Sequence, residues 1–189
     1  MKFIVFFLLA LFLSKHINAQ EQSDSNWLDK NRNIGIHTNL VYWGALTPNL
    51  GLEVPLARQW SIDVMGLYSK WDLNRGKMYR IGGGQAELRW WCCQTMTRHY
   101  VGAHSHYAKF NVGDGVTRSD GDLLGGGLSY GYVWVISKRW HMDFSLGLGY
   151  ARIEYDKYEQ DCNLFLEKKS FNYWGPTRLG VTLNYKIPY

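Results

Sequence analysis

Three side chains at alternate positions, His141, Asp143 and Ser145, are the residue types of a nucleophilic triad. In an extended segment they share one face, yet same-face neighbours stand about 6.6–6.8 Å apart at Cα. A triad needs hydrogen-bond reach between its members, so this set would work only with partners from adjacent strands. His104 and His106 also share a face and could chelate a metal with a third ligand such as His37. Two His on a polar wall are more often hydrogen-bonded fillers. The run Asn111 to Asp122 holds Asp114, Asp120 and Asp122 but lacks the order and the bidentate Glu of a calcium loop. Cys92, Cys93 and Cys162 match no zinc spacing, adjacent cysteines rarely bridge without strain, and an odd count in an exported chain leaves one thiol over. No catalytic, cofactor-binding or metal-binding residue is therefore assigned.

The remaining ionisable groups gain meaning from the elements that carry them. From Asn33 onward the dominant hydrophobic period is two, the signature of strands. Eight such segments are expected: 33–43, 49–56, 60–71, 80–91, 98–111, 124–136, 140–150 and 178–187. On one face of each stand residues such as Ile34, Ile36, Leu40 and Tyr42, or Trp140, Met142, Phe144, Leu146 and Leu148. The opposite face collects Gly and Ser with Glu53, Asp63, Glu87, Arg89, Asp143, Arg178, His37, His104, His106 and His141. Eight amphipathic strands are the smallest common number for a transmembrane barrel, and its lumen is just wide enough for side chains to fill. Ionisable groups at membrane depth must pair, so Glu53, Glu87, Arg89, Asp143, Arg178, His104 and His106 are expected to form a structural interior network.

The chain opens Met1-Lys2, runs apolar from Phe3 to Leu13 and reaches Ala19 through a polar stretch. This reads as a secretory signal peptide over 1–19, too short to cross a bilayer as a helix. Residues 20–32 form a polar lead-in and 33–189 the barrel. Loss of Lys2 and Lys15 lowers the formal charge from +5 to about +3, with no basic cluster, which argues against nucleic acid. Abundant Gly, Tyr and Trp suit tight strands and interfacial aromatic girdles. Trp27, Trp43, Trp71, Trp91, Trp140 and Trp174 are placed in those girdles.

A soluble lipocalin-like barrel also alternates, but it would put its apolar face inward and bury charge beside it without enough apolar neighbours. With the charges inside and the apolar face on lipid, every polar group finds company. The end of the chain, Tyr185, Ile187 and Tyr189 at alternate positions, is like the signal read by the bacterial barrel assembly machinery. With both termini periplasmic, the outer connections are 44–48, 72–79, 112–122 and 156–172, and the inner ones 57–59, 92–97 and 137–139. Cys92 and Cys93 then lie at the rim opposite Cys162, so no disulfide within the chain is expected.

Thr47-Pro48-Asn49-Leu50-Gly51-Leu52-Glu53, Ala86-Glu87-Leu88-Arg89-Trp90-Trp91, Gly131-Tyr132-Val133-Trp134 and Gly175-Pro176-Thr177 resemble, in order and spacing, a family of uncharacterised outer-membrane barrels common in Bacteroidetes-type bacteria. Many members carry Pro where this chain has Ala86. The resemblance covers the mature chain and implies an OmpA-like transmembrane barrel with no established activity. Some members are encoded near fimbrial or cell-surface genes, which implies fimbrial or other surface proteins as partners, beside outer-membrane lipid. The expected function is a non-enzymatic outer-membrane barrel with a structural or surface assembly and adhesion role. A lipid A- or phospholipid-modifying enzyme is the alternative, with His104-Ser105-His106 its nearest local echo, though Ser105 points away from both His. A narrow pore or small-ligand binder is the third, which a packed lumen disfavours.

Overall fold

Alternation of β-branched, aromatic and small residues drives nearly the whole described chain into strands. The computed structural model describes residues 33–72, 77–159 and 164–188. The expected leader and lead-in (1–32, with Trp27), Cys162 and Tyr189 lie outside the described residues.

The elements are β1 (Asn33–Asn39), a helical turn α1 (Leu40–Gly44), β2 (Asn49–Ala57), β3 (Trp60–Asp72), β4 (Lys77–Trp91), β5 (Arg98–Asp114), β6 (Thr117–Val135), β7 (Trp140–Glu159) and β8 (Phe165–Pro188). Each strand pairs antiparallel with the next, and β1 pairs with β8 from Asn33↔Pro188 to Asn39↔Thr182. The sheet thus closes on itself as an eight-stranded barrel without free edges. Two-residue parity then decides which side chains face the lumen.

Three expectations about the elements change. The first strand ends at Asn39, not at 43, because the Asn39 side chain accepts a hydrogen bond from the Val41 N–H (3.1 Å) and starts α1. A short polar side chain that bonds its own neighbouring backbone competes with the ladder in this way. Tyr42 consequently turns inward, its hydroxyl 3.4 Å from Gln85 Oε1, instead of joining Leu40 on the apolar face.

Secondly, most of 112–122 and 156–172 is strand. β5 and β6 run on to a tight turn at Gly115 and Val116, where Gly115 takes φ 99°, a left-handed conformation that glycine adopts freely. The Asp114 carboxylate accepts from the backbone N–H groups of Val116 (2.9 Å) and Thr117 (2.7 Å). Those two bonds hold its pKa below the ordinary aspartate range. β7 and β8 continue up to Glu159 and from Phe165. Cross-strand contacts such as Phe110 on Tyr155 and Tyr158 on Phe165 hold these upper ladders. β5 to β8 are therefore the tallest walls.

Thirdly, β8 carries an extra residue: Gly147 pairs with Arg178 and Leu148 with Pro176, which leaves Thr177 as a bulge. A bulge re-aims the side chains beyond it. Phe171 and Tyr173 thereby line the same lumen as Arg178.

Candidate functional site

Arg89 on β4 lies at the centre of the lumen, 1% exposed, with four carboxylates around it. Its Nη1 is 2.8 Å from Glu53 Oε2 on β2 and 3.4 Å from Asp143 Oδ2 on β7. Its Nε donates to Glu87 Oε2 at 2.6 Å, and its Nη2 is 3.6 Å from Asp63 Oδ2 on β3. The guanidinium also lies over the Tyr100 ring, 4.6 Å from its centroid, a cation–π geometry. Arg178 on β8 supplies the second cation, 3.0 Å from Glu87 Oε2 and 4.0 Å from Asp63 Oδ1.

Neutral and titratable partners finish the shell. His37 Nε2 on β1 is 2.5 Å from Asp63 Oδ2. Ser61 donates to Glu53 (2.7 Å), Ser129 on β6 donates to Glu87, and the Tyr100 hydroxyl on β5 donates to Asp143 (3.0 Å). Every one of the eight strands contributes at least one member. A buried charge is expensive unless it is paired and hydrogen-bonded, and here each carboxylate has a guanidinium within 4.0 Å. The arrangement forms a cross-linked floor across the lumen.

Of the residues expected in the interior network, Glu53, Glu87, Arg89, Asp143 and Arg178 meet in this floor. His104 and His106 do not. They stand one level higher, their rings 5.8 Å apart, with His104 Nε2 2.9 Å from Thr177 Oγ1. His37 belongs to Asp63, so the three His are not brought together. His141, Asp143 and Ser145 are all buried on one face, but Asp143 is engaged by Tyr100 and Arg89, and Ser145 lies 3.5 Å from Arg178 Nε.

Two further members escaped the pattern reading. Trp91, expected in a girdle at a strand end, is wholly buried; its Nε1 donates to Ser61 Oγ (2.8 Å) and its ring lies 4.7 Å from that of Tyr100. Parity carries the signal: Trp90 faces outward, so Trp91 faces in, and Tyr100 shares the inward face of Gly102 and His104. Trp43, Trp71, Trp140 and Trp174 are exposed. Tyr185 packs on Trp140 at 4.9 Å and accepts from Arg139, and Ile187 is exposed. Cys92 and Cys93 are free and exposed in the 92–97 connection.

Above the floor the lumen changes character. A cavity of about 540 Å³ lies between the His pair and α1, walled by side chains such as Ile81, Leu123, Ala151 and Ile153.

Closed sheet and charged floor together define a small all-β barrel whose lumen is blocked at one level by its own ion pairs. The chain belongs to the family described as a protein of unknown function, DUF3575, whose model matches residues 4–187. No curated protein matches it.

Proposed function

We propose that the protein is a non-enzymatic outer-membrane barrel of OmpA-like build, exported by its first nineteen residues. Its charged floor seals and stabilises the wall, and its tall outer strands serve surface assembly or adhesion. One observation carries the reading: the outer wall is a continuous, uncharged and largely apolar belt. On β6 it runs from Leu124 through Leu128, Tyr130 and Tyr132 to Trp134, all 41–67% exposed. The neighbouring walls continue it with Leu50, Leu52, Val64, Val101, Leu146 and Leu179. No Asp, Glu, Lys or Arg interrupts it between Tyr68, Tyr107 and Trp174 at one edge and Trp60, Trp90 and Trp140 at the other.

The ten residue steps from Leu124 to Trp134, at about 3.4 Å each and tilted about 40°, give a band of about 26 Å. That matches the apolar height of about 25 Å of membrane barrels, and soluble monomers rarely expose patches above a few hundred Å². Charge returns just beyond the upper edge with Lys70, Arg80, Lys109, Asp122 and Arg152.

Fractionation with an unreduced gel tests the reading. The protein is expected in the outer-membrane fraction after carbonate washing, with an unboiled band that moves on boiling. Recovery in the soluble periplasm as one heat-indifferent band would overturn it.

A further inference from the structure

We propose that the upper lumen is a binding site for a fatty acid, held with its chain in the apolar cup and its carboxyl group on the Gln85 amide at the base. The cavity lies inside the barrel, so this inference does not rest on the membrane reading.

The first observation is the wall. Inward positions that are charged or small lower down become Ile81 on β4, Ala108 on β5, Leu123 on β6, and Ala151 and Ile153 on β7, all lining the cavity. An inward apolar wall serves no purpose in sealing charge, and the floor beneath is already closed. The volume of about 540 Å³ falls within the range of about 300–1,000 Å³ typical of small-molecule sites.

The second observation is at the base. Gln85 is 6% exposed and lines the cavity, and its Nε2 has no hydrogen-bond partner among the described residues. Its Oε1 is already taken by the Tyr42 hydroxyl, so what remains on offer is a donor. His106, also in the lining, has its Nδ1 likewise unpartnered. A buried amide N–H left unmade is costly, and one oxygen acceptor at the end of an apolar body would satisfy it. An apolar tube with an unpaired amide donor at its base selects an amphiphile that enters oxygen first. Thr177, whose bulge turns Tyr173 and Phe171 into the lumen, sets the shape of the wall and hydrogen-bonds His104, whose ring lies 5.8 Å from that of His106.

The test uses the full chain, folded and transferred to amphipol so that no detergent chain competes, with tritiated palmitic acid as the probe. Saturable one-to-one binding is expected. Ala151→Trp should fill the cup and abolish it. Gln85→Leu should keep the volume and weaken binding about tenfold, the size of one lost hydrogen bond. Barrel closure of each variant is checked by its unboiled gel mobility, so loss of binding is separated from loss of fold. Native mass spectrometry of the extracted protein separates the sources. An adduct of fatty-acid mass, lost in Ala151→Trp, is expected; one of phospholipid mass, whose chain can enter only methyl first with its ester left outside, would overturn the proposal. No saturable binding by the folded wild type, or unchanged binding by folded Ala151→Trp, overturns the proposal, whatever fraction of the cell the protein occupies.

Discussion

The lumen holds two regions that share the same strands and differ in almost every physical respect. On β4, Arg89 and Glu87 belong to the floor, while Gln85 and Ile81, one and three inward positions above Glu87, belong to the cup. In the floor four carboxylates and two guanidiniums are held together with Ser61, Ser129, Tyr100 and Trp91, and each carboxylate has a guanidinium within 4.0 Å. In the cup the walls are apolar, a cavity stays open, and a buried amide donor has neither a hydrogen bond nor an opposite charge beside it among the described residues. A region whose charges are paired by its own side chains contributes stability and uniqueness of fold; a region left open is suited to a visitor. The contrast also places any ligand chemistry away from the residues that look most chemical.

The largest effect is expected from Arg89→Leu. It strands the carboxylates of Glu53, Glu87, Asp63 and Asp143, and breaking a buried pair costs about 3–5 kcal/mol. Urea unfolding in lipid vesicles should show at least that loss, or no closed barrel at all; a stable Arg89→Leu barrel would erase the distinction between floor and cup. Arg178→Met, which removes a cation serving chiefly Glu87, should cost about 1.5–3 kcal/mol in the same assay. Trp91→Phe deletes only the bond to Ser61 and should cost about 1 kcal/mol. Gln85→Leu, just above the floor, loses only the long bond accepted from the Tyr42 hydroxyl and should cost about 0.5 kcal/mol.

The smallest effect lies outside both regions. The Asp114 carboxylate is bound by two backbone N–H groups, so its folded pKa is lowered. Its contribution to the hairpin is therefore present above the unfolded pKa and is lost as pH falls through the folded one. The Asp114 carboxyl resonance should titrate below a model aspartate, while Asp114→Asn should leave the melting of both floor and cup unchanged.

Within the belt, the structure was largely legible in the sequence. Apolar and small or polar residues alternate strictly there, because one face of each strand meets one environment and the other face meets another. Glu53, Glu87, Arg89, Asp143 and Arg178 could be grouped by parity alone. Above the belt the signal faded. Around Asp114 to Asp122, Asp156 to Glu159 and Phe165 to Asn172 polar residues stand on both faces of the strands, so hydrophobic period two vanishes even though the ladder continues. Tyr42 was misplaced because a side-chain cap at Asn39 ended the strand early, and Trp91 because its type outweighed its parity. His104 and His106 share the floor's face but not its level, since facing can be read from spacing and height depends on the stagger between strands. The cup was hidden for a further reason: Phe171 and Tyr173 reach it only through the bulge at Thr177.

The central claim is that the apolar face looks outward into lipid and the polar face looks into the lumen. Leu148 and Ala151 on β7 test it most directly, one 61% exposed on the belt and the other 3% exposed in the cup. With Cys92, Cys93 and Cys162 replaced by Ser, Leu148→Cys and Ala151→Cys would each carry a small fluorophore in vesicles containing brominated lipid. The account predicts strong quenching at Leu148 and weak quenching at Ala151. Stronger quenching at Ala151, or none at either position in a folded barrel, would contradict it.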